Sequence, residues 1–137
     1  MKVGATLVSK FIGAFGAVNV CARKDNGEKR AVKRIKKIEG EYDLDLQDFV
    51  QETSMLRTIP HPNIVQIYEM FEDEVQFYIV TELFEGGDLF SRIEKMKRFS
   101  EKDASHIMEE VLMAINHCHA KKICHRDLKP ENILIND

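Results

Sequence analysis

A chain of 137 residues, 44% apolar and 31% charged with a formal net charge of −3, has the composition of a globular domain and not of a disordered tail. The mild acidity gives no footprint for nucleic acid or an anionic membrane, and no apolar run approaches the roughly 18 residues of a membrane span. Three scattered cysteines (Cys21, Cys118, Cys124) point to reduced thiols in a cytosolic or nuclear setting. The opening residues read as neither a signal-peptide core nor, with Lys2 in second place, a myristoylation signal.

Residues 6–12 and 17–21 are apolar and β-branched, and read as strands joined by a glycine-containing bend at 13–16. Asp25-Asn26-Gly27 is a turn signal. Residues 29–35 then alternate, with Ala31, Lys33 and Ile35 on one face and Val32 on the other. Residues 40–45 read as a polar loop or frayed helix start. A helix is expected over 44–58, where Phe49, Thr53, Leu56 and Ile59 fall at near-helical spacing before Pro60 and Pro62. Glu52 lies on or beside the face that this helix should bury, and a buried carboxylate asks for a cationic partner. Strands are expected at 64–71 and 75–83, split by the acidic turn at 72–74, before Gly86-Gly87 breaks the chain. A short helix over 88–95 follows. Ser100-Glu101-Lys102-Asp103 has the form of an N-cap with an acidic first turn. After it Ala104, Ile107, Met108, Val111, Leu112 and Ile115 trace one apolar helical stripe, and the helix should run to about Ala120.

The most specific chemistry lies in the run His125-Arg126-Asp127-Leu128-Lys129-Pro130-Glu131-Asn132, followed by Ile133, Leu134 and Ile135. One tight loop carries a carboxylate, an ammonium and an amide. Asp127 can accept or orient the proton of an attacking hydroxyl. Lys129 can offset charge on a moving phosphoryl group, and Asn132 can ligate a divalent cation without adding a full charge. Lys33 on its strand and Glu52 on the next helix account for each other as an ion pair. His117-Cys118-His119 with Cys124-His125 has metal-ligand residue types, but His117 to His119 fall at the end of the long helix and His125 belongs to the run just described, which leaves zinc the weaker reading.

These segments resemble the eukaryotic protein kinase family across nearly the whole chain. His-Arg-Asp-x-Lys-x-x-Asn resembles the catalytic loop, and Lys129 within it is similar to the serine/threonine type. Ala31-Val32-Lys33 resembles the strand whose lysine meets the α and β phosphates of ATP and pairs with a helix glutamate, here Glu52. Gly13, Gly16 and Val18 match the second glycine, third glycine and valine of the phosphate loop, with Phe15 at its tip and Phe11 in the first glycine's place. Alternatively two residues are missing and Gly13 is the first glycine. Residues 80–88 resemble the hinge. There the Glu82 carbonyl and the Phe84 amide would meet adenine, Thr81 would control the pocket behind it, and Asp88 would lie near the ribose. The resemblance adds Ile12, Ala14, Ala31, Glu131 and Leu134 to the nucleotide site, and His61-Pro62-Asn63-Ile64-Val65 fits the same scheme.

The fold implied is α+β and protein-kinase-like: a complete small lobe over 1–82, an antiparallel sheet plus one helix, then the hinge and the first part of a helical large lobe over 83–137. The cofactors implied are ATP and Mg²⁺. The partner implied is a protein with a serine or threonine acceptor, with no nucleic acid and no membrane. Residues 82–90 are similar to the calcium/calmodulin-dependent group, and the calcium-dependent kinases of plants and protists are the nearest sub-family. In that group, acidic residues matching Asp88 and Glu131 favour an arginine upstream of the acceptor. No Asp-Phe-Gly triplet and no EF-hand loop occur in the 137 residues. The expectation is a truncated phosphotransferase, nearly inactive by itself. The alternative is a non-catalytic kinase-like binding or decoy module.

Overall fold

The computed structural model describes residues 2–5, 18–37, 50–51 and 53–136. The strand expected over 6–12, the bend with Ile12, Gly13, Ala14, Phe15 and Gly16, the loop over 40–45, the first part of the helix expected from 44, and Glu52 lie outside the described residues. In chain order the elements are β1 (Lys2–Ala5), β2 (Val18–Ala22), β3 (Lys29–Lys36) and α1, whose described residues are 50–51 and 53–56. There follow β4 (Ile67–Glu72), β5 (Gln76–Thr81), α2 (Leu89–Met96), α3 (Glu101–Ala120), a 3-10 turn η1 (Pro130–Asn132) and β6 (Ile133–Asn136). Two compact units divide the chain. A sheet unit holds Lys10–Pro60 and Gln66–Leu83, and a helical unit holds Met1–Ser9, His61–Val65 and Phe84–Asp137.

The sheet unit is built on four antiparallel strands in the order β2-β3-β5-β4. Its first turn follows the sequence signal: Gly27 takes φ 73°, and the Asn26 side chain accepts from the Glu28 amide at 2.9 Å. At the β4–β5 turn Asp73 accepts from the amides of Val75 and Gln76 and from the Tyr78 hydroxyl. The Tyr78 hydroxyl, then the two amides, hold its carboxyl below the usual carboxylate range. Leu56, Ile59, Ile67, Phe77 and Ile79 are buried in this unit, with Thr53 fully enclosed.

One expectation for the sheet needs correction. The strand expected from residue 64 begins at Ile67, because residues 61–65 form a turn in which the Ile64 amide donates to the His61 carbonyl. A register shift between Ile67 and Glu69 then breaks the simple alternation. On β3, the charged residue Arg30 is only 7% exposed. Its guanidinium lies 3.9 Å from the Tyr68 ring centroid and reaches Glu28 and Glu69 at 3.2 and 3.5 Å, so paired charge offsets its burial.

In the helical unit α3 starts at the expected cap, where Ser100 accepts from the Asp103 amide at 3.1 Å and Glu101 and Asp103 face the positive helix end. Its buried stripe is Ile107, Val111, Ala114 and Cys118. Ala104, Met108 and Leu112, expected in the stripe, are exposed, and Met113 joins them on the open side. Of the residues that α3 buries, Ile107 and Val111 meet Val3, Leu89, Ile133 and Ile135 in one apolar cluster, edged by Ile93, Phe99 and Ile115.

The partner of β6 is β1, antiparallel, with Val3 opposite Ile135 and Gly4 opposite Leu134. Val3 is fully buried; its amide donates to Glu110 Oε2 at 2.9 Å and its carbonyl accepts from Asn63 Nδ2 at 3.2 Å. Gly4 sits under Phe84, where an added Cβ would come within 2.5 Å of the ring. Gly86 meets the Ile135 backbone, which leaves no room for a side chain. Gly87, at φ 76°, accepts from the Ile135 amide at 2.9 Å. Among the described residues no helix is long and apolar enough to cross a membrane.

Candidate active site

Asp127 is set by a loop whose conformation is local. Arg126 holds φ 63°, a left-handed backbone that costs a non-glycine residue of order 1–3 kcal/mol. That turn brings the Asp127 amide back onto Nδ1 of buried His125 at 3.3 Å. Pro130 then opens η1 with its fixed φ, and the Asn132 amide closes the turn on the Lys129 carbonyl at 2.9 Å. The His125 ring thus supports the Asp127 backbone.

The result is one cluster. Asn132, 8% exposed, donates from Nδ2 to the Asp127 carbonyl at 2.7 Å and to Asp127 Oδ2 at 3.0 Å. Lys129 Nζ lies 3.1 Å from the same carboxylate oxygen. Asp127 and Lys129 keep 35% and 43% side-chain exposure, so the pair can be reached from solvent. With both amide hydrogens of Asn132 turned to Asp127, its Oδ1 is the atom suited to a cation. A carboxylate and an amide oxygen are hard donors that suit Mg²⁺ and not a thiophilic metal. The donor types therefore fit the implied ion.

Other expected positions in this unit fall nearby in the chain's topology. Leu134 on β6 is half-buried and forms an isolated bridge with Asp88. The Asp88 carboxylate caps α2, one oxygen accepting from the Ser91 amide and the other from the Ser91 hydroxyl, both at 2.8 Å. Glu131 is exposed on η1. The Phe84 side chain is 9% exposed, with the Lys2 ammonium 5.3 Å from its ring centroid. Cys118 is buried while His119 and Cys124 are exposed, and no group of three or more His, Cys, Asp or Glu among the described residues is placed to hold a metal.

In the sheet unit, register assembles a second group. Val18 lies opposite Lys33, and Ala31 lies opposite Thr81. Directly paired antiparallel residues share a face, and so do residues two apart on one strand. Val18, Ala31, Lys33 and Thr81 therefore occupy one face. The Glu82 amide donates to the Gln66 carbonyl at 2.9 Å, and its own carbonyl accepts from the Thr81 hydroxyl at 3.1 Å. Lys33 is half-buried, and desolvation pulls its ammonium from 10.5 down to about 8. An anion beside it would reverse that shift.

Comparison with known proteins bears on these two groups. A family model described as "Protein kinase domain" matches residues 11–137. The chain is 41% identical over 123 residues to "Calcium-dependent protein kinase 4" of Plasmodium berghei (strain Anka), covering 90% of this chain and 23% of that protein. It is 40% identical over 125 residues to "Calcium/calmodulin-dependent protein kinase type II alpha chain" of Drosophila melanogaster, covering 90% and 23%. It is 39% identical over 123 residues to "Calcium-dependent protein kinase 7" of Arabidopsis thaliana, covering 89% and 23%. The chain thus spans about a quarter of the length of these relatives.

Proposed function

The chain belongs to the protein kinase domain family, and on that premise we propose that it forms part of an ATP-dependent protein serine/threonine phosphotransferase. The observation that carries the reading is the Asp127 carboxylate, held at one oxygen by Lys129 at 3.1 Å and Asn132 at 3.0 Å. That grip orients the carboxylate so that it can accept a hydrogen bond from a serine or threonine hydroxyl and aim its oxygen at phosphorus. Lys129 supplies the positive charge that offsets the phosphoryl oxygens as they leave ADP. Asn132 would hold one Mg²⁺, which neutralises phosphate charge when bound. Lys33 would take the α and β phosphates, fixed by Glu52. The glycine bend with Ile12, Gly13, Ala14, Phe15 and Gly16 would cover them beside Val18 and Ala31.

By the family resemblance, the Glu82 carbonyl and Phe84 amide would receive the base, Thr81 would control access to the pocket, and Leu134 would belong to the nucleotide site. Asp88 would share its capping carboxylate with the ribose. The substrate is a protein carrying an arginine upstream of the acceptor, a preference supported by the carboxylates of Asp88 and Glu131. Relatives named for calcium or calmodulin dependence support placing the whole protein in that regulatory group. The free cysteines support a cytosolic or nuclear location.

The isolated 137-residue chain, which contains no Asp-Phe-Gly triplet, is expected to be nearly inactive. The test is phosphate transfer from ATP to a peptide with arginine upstream of serine. It compares the longest natural product that carries this sequence, its Asp127→Ala variant and the 137-residue chain. Transfer by the long form that disappears in Asp127→Ala supports the proposal. Transfer that survives the substitution sinks it, and turnover by the short chain refutes its inactivity.

A further inference from the structure

Three features of the helical unit stand outside the active-site cluster. The first is the open side of α3, with Met108, Leu112 and Met113 around a shallow groove, and nothing in the structure specifies what covers it. The second is the β1–β6 pair. The third is two histidines on different elements, and it gives the second a mechanism.

His61 and His117 pack ring against ring, with centroids 4.8 Å apart and planes tilted by 33°. His117 comes from the last turn of α3, and its Nε2 is buried without a hydrogen-bond partner among the described residues. His61 opens the 61–65 turn, and its Nδ1 accepts the Asn63 amide hydrogen at 3.1 Å. An imidazole that accepts at Nδ1 carries its proton on Nε2 and is neutral. Adding a second proton puts a hydrogen on Nδ1, so two donors face each other and that bond is lost. Protonating both rings also sets like charges in contact.

Asn63 links the pair to the rest of the unit. It is 6% exposed, and its side chain donates to the carbonyl of fully buried Val3. Val3 belongs to β1, and β1 is the partner of β6, which begins directly after Asn132. We propose that His61 and His117 form a proton-operated latch: neutral, it holds the 61–65 turn and, through Asn63, strand β1 in place; acidification opens it. This goes beyond the phosphotransfer reading and does not depend on it.

The pair joins the 61–65 turn to α3, and Asn63 joins that turn to β1. On β1, Lys2 lies over the Phe84 ring. On α3, Glu110 accepts from the Val3 amide and faces His106 at 3.6 Å. Lys121, one turn beyond His117, is exposed. Burial first, and then the charge of His117, lower the His61 proton affinity below the ordinary histidine value, in the direction the latch requires.

The experiment uses the 137-residue chain itself. Amide exchange is followed by NMR from about pH 7.5 to about pH 5.5, the range over which an ordinary histidine titrates, with intrinsic rates divided out. His61 Hε1 is titrated in parallel. The wild type should lose protection at Asn63, Val3 and Ile135 on acidification, while the amides of Ile107 to Ala114 in α3 keep theirs. His61 should titrate below about 6.5. His61→Asn keeps an acceptor near the Nδ1 position but cannot be protonated, so its protection should not depend on pH. His117→Phe keeps the ring contact without the second charge, and should move the His61 midpoint back up. That variant carries the test if His61→Asn fails to fold. Constant wild-type protection across the range, a His61 midpoint at or above about 6.5, or an unmoved midpoint in His117→Phe would each overturn the latch.

Discussion

Replacing Lys33 by methionine should stabilise the chain while removing the hold on nucleotide phosphates proposed for it. Methionine keeps the length and apolar stem of lysine, so the packing of the shared face with Val18, Ala31 and Thr81 changes little. What disappears is a charge that burial disfavours, together with the pairing proposed with Glu52, so the desolvation relief is an upper bound on the gain. A fall in Lys33 from 10.5 to about 8 sets an upper limit of about 3.4 kcal/mol on that cost. Lys33 is half-buried, and water around the exposed part of the side chain screens it, so the expected gain is about 1 kcal/mol.

The pH dependence fixes the sign. At pH 7 the ammonium is charged in both folded and unfolded states, and the folded state bears the full desolvation cost. As pH rises from about 8 towards 10.5 the folded state releases its proton first, so wild-type stability climbs over that window. The advantage of Lys33→Met should therefore be largest near pH 7 and vanish above 10.5. Urea denaturation followed by circular dichroism at both ends of the window measures this, with equal slopes required so that midpoints can be compared. A nucleoside triphosphate should raise the wild-type melting temperature and leave that of the variant unmoved. A variant less stable than wild type at pH 7, or a gain that persists above the window, would refute the reasoning.

Three further substitutions probe other parts of the fold. Gly4→Val pushes a side chain into the Phe84 ring, so β1 should detach and the β6 amides should lose exchange protection; unchanged protection would mean that the strand has another way to seat. Ser100→Ala removes the acceptor for the Asp103 amide and should lower stability by about 1 kcal/mol in urea titration; no change would show the first turn of α3 to be frayed. Asn132→Asp replaces the two donor contacts to Asp127 with a second carboxylate and should cost about 1–3 kcal/mol at neutral pH. The crowded carboxylates raise each other's proton affinity, so that loss should shrink as pH falls towards 4; a loss that grows relative to wild type would contradict the geometry.

The Asp127 cluster was legible because it is local. Asn132 lies five residues from Asp127 and Lys129 two, and the turn that joins them is set by Arg126, Pro130 and their own hydrogen bonds. The same holds for α3, whose first residue was fixed by Ser100 and whose span matches the expected one through Ala120. The hairpin at Asn26-Gly27 likewise needs nothing from elsewhere in the chain.

Contacts between distant residues were not legible. Periodicity marked Met108 and Leu112 of α3 as apolar, but it could not say that the buried stripe is the one through Ala114 and Cys118, because that depends on where Val3, Ile133 and Ile135 approach the helix. The burial of Arg30 was not legible either, since a strand pattern carries no information about Tyr68 and Glu69 on another strand. No rule of spacing brings Val3 to Glu110 across 107 residues, or His61 onto His117. The sequence by itself determined the short-range chemistry: a loop that presents a carboxylate, an ammonium and an amide together, whatever surrounds it. The tertiary structure decided which strand pairs with β6, which glycine lies beneath Phe84 and which histidines meet. Those outcomes depend on the mutual fit of whole faces, and a linear pattern records each face without recording its partner.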